Sequence, residues 1–134
     1  MENIVRRKPA LNMHRCAFTG YRPQKMPFGF NESDPRCIDF KRRVKETIQA
    51  LYDMGYRHFI SGGALGMDMF AAEAVLELRA QHPDMILEMV SPFDDQAARW
   101  SPELRARHDR LFAQADIIPA TGHGETDLVN DREP

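Results

Sequence analysis

The stretch Ile60-Ser61-Gly62-Gly63-Ala64-Leu65-Gly66-Met67-Asp68 constrains this chain more than any other. Ahead of it, Tyr56-Arg57-His58-Phe59-Ile60-Ser61 is short and rich in aromatic and apolar residues, the composition of a strand. Behind it, Met67 to Gln81 has no Gly or Pro and carries Met67, Ala71, Ala74, Val75 and Leu78 at helical spacing. Gly62, Gly63 and Gly66 therefore sit where a strand hands the chain to a helix. Glycine tolerates positive φ and lets a ligand approach the main chain. The first turn of a helix has unpaired N–H groups and the positive end of the dipole. Together these make a site for an anion, most often a phosphate. The pattern is neither G-x-G-x-x-G nor the Walker loop, because no Lys follows Gly66, so the motif alone leaves a ligand-free tight turn equally open.

With 134 residues, the chain has the size of one domain with a core of its own. Its 43% hydrophobic and 28% charged residues are ordinary for a globular protein. No apolar run approaches the ~20 residues of a membrane span. The charged N-terminal stretch lacks the apolar segment of a secretory signal. Cys16 and Cys37 have neither C-x-x-C spacing nor a disulfide framework around them. A cytoplasmic protein without a membrane partner is the expectation. Charge is unevenly spread: residues 1–50 carry 11 Lys/Arg and 5 Asp/Glu, residues 51–134 carry 7 and 15. The basic half suits an anionic ligand or nucleic acid. Lys41, Arg42, Arg43 and Lys45, however, fall between the apolar positions of a helix and read first as its solvated face.

Taken in order, residues 1–13 read as a flexible arm, 14–119 as the domain and 120–134 as an irregular tail. Arg15 to Gly20 predicts a first strand. Tyr21 to Ser33, with Pro23, Pro27 and Gly29, is a long loop without regular structure. Asp34-Pro35 starts a helix, with Cys37, Phe40, Val44, Ile48 and Leu51 on one face and Gly55 closing it. After the second strand and its helix, His82-Pro83-Asp84 breaks the chain and Met85 to Val90 is a third strand, with Ile86, Leu87 and Val90 in the core. Ser101-Pro102 starts a helix with Leu104, His108, Leu111 and Phe112 facing in, and Asp116 to Pro119 is a short fourth strand. The alternation predicts an α/β fold: a parallel sheet of about four strands with helices on both faces. The loops after the strands, Thr19–Lys25, Ser61–Asp68 and Ser91–Trp100, then converge on one sheet edge.

Those loops carry a resemblance. Cys16-Ala17-Phe18-Thr19-Gly20-Tyr21-Arg22-Pro23-Gln24-Lys25, then Ser61 to Asp68 with Ala71-Ala72-Glu73, then Gln96-Ala97-Ala98-Arg99-Trp100 together resemble the YpsA-like branch of the SLOG superfamily, from about Arg15 to Asp116. The first motif of that branch is usually T-G-H-R-P-x-K, so Tyr21 stands where His is more common. The glycine motif is also similar to that of the more distant DprA. The resemblance implies a Rossmann-like fold and a pocket for a nucleotide or a nucleotide-derived molecule such as NAD or ADP-ribose, without a settled reaction; a ligand sensor is the first reading here. Two alternatives come with it: cleavage of an N-glycosidic bond, as in LOG enzymes, and single-stranded DNA binding in the DprA manner. LOG enzymes carry a later P-G-G-x-G-T-x-x-E motif that is absent from this sequence. Relatives in the branch continue past the fourth strand with a further strand, a second glycine turn and a final helix, and residues 120–134 resemble none of these. The expected fold is thus incomplete relative to the family. The sheet edge left without its usual neighbour makes a homodimer one expected partner.

Thr19, Gly20, Arg22, Lys25, Ser61, Gly62, Gly63, Gly66, Asp68, Gln96 and Arg99 are the candidate ligand-binding residues. The glycines would bring N–H groups to a phosphate, the Arg22 fork would clamp it and Lys25 would add a point charge. Asp68 repels phosphate and reads as a helix cap or as an acceptor for a ribose hydroxyl. Arg99 supplies a cation beside Trp100, itself read as core. Asp94 and Asp95 read as solvated, and Glu73 as facing the pocket or water. The five histidines have no zinc spacing, and no catalytic residue, metal or cofactor is assigned. The expected partner is a small nucleotide ligand; nucleic acid is the less favoured one.

Overall fold

The structure, a computed structural model, describes residues 15–20, 23–91 and 95–119. Three strands and three helices alternate: β1 (Arg15–Ala17), α1 (Pro35–Asp53), β2 (His58–Ser61), α2 (Met67–Arg79), β3 (Ile86–Met89) and α3 (Pro102–Gln114). The strands form one parallel sheet in the order β1-β2-β3, with Cys16 opposite Phe59 and Phe59 opposite Leu87. This is the α/β, Rossmann-like arrangement that the alternation predicts, in partial form.

The helices begin where the sequence places their caps. The Asp34 side chain accepts from Arg36 N–H, and the Arg36 guanidinium holds its carboxyl down to about 2. Ser101 Oγ accepts from Leu104 N–H at 3.2 Å. Proline follows each cap, where its missing N–H costs no helical bond. After α1, Gly55 takes φ 109, a conformation closed to most side chains.

Side chains of a strand alternate between the two faces of its sheet. Cys16, Phe59, Leu87 and Met89 share the face that meets Val44 and Ile48 of α1, Ala71, Ala72 and Val75 of α2, and Leu111 of α3. The small residues of α2 let that helix settle close to β2 and β3, between α1 and α3. Phe59 is fully buried, and its truncation to Ala would cost about 3–5 kcal/mol. The opposite face carries Ala17, His58, Ile60, Ile86 and Glu88. There Glu88, only 6% exposed, meets His58 Nε2 at 2.7 Å. Glu88 rather than Ile86 is thus the buried partner of Leu87 in β3, because a paired carboxylate tolerates burial.

Two expectations shift. The long connection after β1 is not wholly irregular: Pro23–Lys25 form one 3₁₀ turn. Successive turns follow, with Met26 N–H on Pro23 O, Gly29 N–H on Met26 O and Asn31 N–H on Phe28 O. Its buried Met26 and Phe28 pack with Cys37 and Phe70 in a small second core. The fourth strand shrinks to one bridge, Glu88 to Ile117. Asp116 explains why: its Oδ2 takes Leu87 N–H at 2.8 Å and Arg79 Nη1 at 2.7 Å, so a side chain fills a place that a strand's carbonyl would take. The arm at 1–13 and the tail at 120–134 lie outside the described residues. Among the described residues, no helix is long and apolar enough to cross a membrane.

Candidate functional site

The three loops do meet at the carboxyl ends of the strands. Gly20, just past β1, lies so close to Met67 that a Cβ there would stand 2.5 Å from Met67 Cγ. Gln96, from the loop after β3, donates its Nε2 hydrogen to Gly62 O at 3.0 Å. The glycine turn is therefore framed from both sides by residues far away in sequence.

Within the turn, the N–H groups of Gly63 and Ala64 are taken internally. Ser61 is fully buried; its Oγ accepts from Gly63 N–H at 3.2 Å and donates to Asp68 O at 2.8 Å. Asp68 Oδ2 lies 3.4 Å from Ala64 N and 3.1 Å from where a Cβ of Gly62 would stand. Gly63 has φ 76, and an added Cβ would meet Phe112 Cε1 at 3.0 Å, Gln96 Oε1 at 3.3 Å and Met89 Cε at 3.4 Å. Gly63 is thus required by the packing and backbone of the turn, while Gly62 lies close beneath the Asp68 carboxylate. Asp68 folds back over the turn that precedes its own helix.

The second half differs. Gly66 stands at the N-cap of α2 with φ 92 and ψ −129, and no side chain caps the helix there. Phe70 N–H returns to Gly66 O at 3.0 Å and Met69 N–H to Ala64 O at 3.2 Å. Among the described residues, no acceptor meets the N–H groups of Leu65, Gly66 and Met67. Gly66 is buried while Leu65 and Met67 are half-buried. A buried N–H without a partner is costly, and three in succession at a helix start concentrate the dipole's positive end. A run of donors of this kind is chemically suited to cradle an anion.

The remaining candidates spread out. Thr19, Lys25 and Arg99 are exposed, and Arg22 and Asp94 lie outside the described residues. Gln96 braces the turn: its Oε1 faces His108 Nε2 at 3.0 Å, which fixes the imidazole as the donor because Gln96 Nε2 already serves Gly62. Trp100 is half-buried and meets the His108 ring edge-on at 5.3 Å, packed against the core as its composition suggests. Burial pushes the thiols of Cys16 and Cys37 up, away from the thiolate form. Among the described residues, no His, Cys, Asp and Glu cluster could hold a metal ion.

Arg107 is the residue that sequence reasoning missed. Its guanidinium, 18% exposed, bonds both Glu73 oxygens at 2.6 and 2.7 Å and both Glu32 oxygens at 2.7 and 2.9 Å. Lys41 Nζ joins Glu32 at 2.6 Å and stands 4.7 Å above the Phe70 ring. The hydrogen bonds that Arg107 donates to Glu73 outweigh burial and raise the Arg107 pKa. Burial by itself would raise Glu32, but hydrogen bonds from Arg107 and Lys41 lower it. This clamp ties the loop after β1 to α1, α2 and α3, and it takes Glu73 away from any pocket. A signal existed: Arg107 shares a helix face with Leu104 and Leu111, an arginine among apolar positions. The rest of the basic stretch is also paired: Arg42 with Asp39 and Glu46, Arg43 with Asp39, and Lys45 with Glu77.

Parallel strands with a glycine turn between a strand end and a helix start place the chain in the class of Rossmann-like α/β proteins. Residues 16–126 match the profile of the YpsA family, the YspA SLOG family, and the chain belongs to it. It is 30% identical over 111 residues to a UPF0398 protein of Bacillus pumilus, an alignment covering 83% of this chain and 59% of that protein. It is 29% identical to UPF0398 protein YpsA of Bacillus subtilis, covering 83% and 61%. A UPF0398 protein of Brevibacillus brevis is 30% identical over 106 residues, covering 79% and 56%. The chain thus spans about 60% of the length of the curated relatives it matches.

Proposed function

We propose that this chain binds a nucleotide or nucleotide-derived small molecule, with its phosphate on the N–H groups of Leu65, Gly66 and Met67, and that it works as a ligand sensor. The observation that carries this reading is the run of three amides at the start of α2 that meet no acceptor among the described residues. Phosphate supplies the missing acceptors and the negative charge that the helix dipole favours. The reading refines the sequence-based site: within the motif, the anion belongs at Leu65 to Met67 rather than at Gly63 and Ala64, whose N–H groups are taken by Ser61 and Asp68. Thr19 and Gly20 border the same strand edge. Gln96 and Ser61 act through the shape of the turn. Sensing is favoured over catalysis because Glu73 is committed to Arg107 and Asp68 lies against Ala64 N–H. The carboxylates closest in sequence to the turn are therefore both engaged. Nucleic-acid binding is disfavoured because Lys41, Arg42, Arg43 and Lys45 each pair with a carboxylate.

Thermal-shift titration tests it. A ligand bound only by the folded state raises the Tm with its concentration over Kd. A nucleoside 5′-monophosphate should raise the Tm at concentrations where its nucleoside does much less. Equal shifts for the pair would remove the phosphate from the turn.

A further inference from the structure

A cavity lies not in the glycine turn but beside it, and its lining includes neither Gly62 nor Gly63. It measures about 660 Å³, within the range of small-molecule sites. Its walls are Met26 and Phe28 of the loop after β1, Phe40 of α1 and Met67 of α2, with Thr19 and Gly20 beside them. Phe28 and Phe40 are held against each other at 6.1 Å between centroids, and Phe40 meets Phe70 edge-on at 6.1 Å, so the aromatic wall is preformed. Arg36, Asp39 and Arg43 also line it, with Arg36 paired to Asp34 and Arg43 to Asp39, so these walls are polar and their charges compensated.

Met67 links this cavity to the anion cradle. Its side chain lines the cavity while its N–H is the first of α2. Resting on the phosphate reading above, we infer that the cavity seats the planar ring of the same ligand, so that the chain reads ring and phosphate on opposite sides of Met67. Aromatic rings and thioethers suit a flat ring whose faces are apolar. The polar groups that would orient the ring's edge are Thr19, Asp39 and the two arginines.

The test uses the full chain and calorimetric titration with the four common ribonucleoside 5′-monophosphates, the matching nucleosides and inorganic pyrophosphate. Thr19→Trp puts an indole at an exposed wall position, and Arg43→Trp narrows the cavity from α1. Each should weaken the best nucleotide and its nucleoside by about tenfold or more through steric exclusion, while pyrophosphate binding stays as in the parent. Unchanged nucleotide affinity in both variants overturns the inference, as does pyrophosphate binding as tightly as the best nucleotide. A nucleoside that binds as tightly as its nucleotide and is lost in both variants supports the ring site while overturning the phosphate reading. Absence of binding by every probe overturns both.

Discussion

The two halves of the glycine turn look alike in sequence and differ in structure. From Ser61 to Ala64, the protein's own side chains hold the turn: Ser61 Oγ and Asp68 Oδ2 take the N–H groups of Gly63 and Ala64, and Phe112 and Met89 crowd Gly63. From Leu65 to Met67, no acceptor among the described residues meets the N–H groups. Glycine in such a motif therefore has two separable meanings. Gly63 makes room for the protein's own side chains, whereas Gly66 supplies a positive φ that opens the start of α2.

The harshest way to break this distinction is Gly63→Val. The left-handed φ costs roughly 1–2 kcal/mol and overpacking about 1–3 kcal/mol more. A loss of about 3 kcal/mol or more, read as a Tm lower by roughly 10 °C, is expected from denaturation. A variant as stable as the parent would show the first half to be no more structural than the second.

Ser61→Ala is milder. It leaves Gly63 N–H without its acceptor in a buried place, at about 1–3 kcal/mol by chemical denaturation. Stability equal to the parent would mean that the hydroxyl does not brace the turn.

Acid separates the turn from the clamp. The folded pKa of Glu32 is lowered, so the stability it contributes is present above its ordinary value of 4.5 and lost as pH falls through the lower folded value. A fall in Tm below that pH, reduced in Glu32→Gln, is expected. Ligand affinity in Glu32→Gln at neutral pH should match the parent, because the clamp reaches α2 at Glu73, away from the amides. Equal acid sensitivity in parent and variant would count against the clamp.

The smallest effect sharpens the second half. Asp68→Asn keeps an acceptor for Ala64 N–H but removes a negative charge near the cradle. At ~6 Å in water, one charge pair is worth about 0.7 kcal/mol, so phosphate ligands should bind roughly threefold tighter. Weaker binding would mean that the carboxylate itself contacts the ligand.

Much of the fold was legible because it rests on local chemistry. Asp34-Pro35 and Ser101-Pro102 announce helix starts, Gly55 announces an end, and the stripe from Cys37 to Leu51 announces the face that α1 buries. Loop motifs from about Arg15 to Asp116 pointed to the family whose profile matches residues 16–126. Such signals need only neighbours within a turn or two of the chain, so the sequence by itself determined them.

Only the tertiary structure decided how polar groups pair. Arg107 reaches Glu32 across 75 residues, Gln96 reaches Gly62 across 34, and Asp116 replaces strand with side chain by meeting Leu87 across 29. It also decided which amides of the glycine turn meet no acceptor among the described residues. A motif states that donors exist there. Whether they are already satisfied depends on groups that folding brings within 3.5 Å, and hydrogen-bond geometry at that range has no periodic trace in sequence.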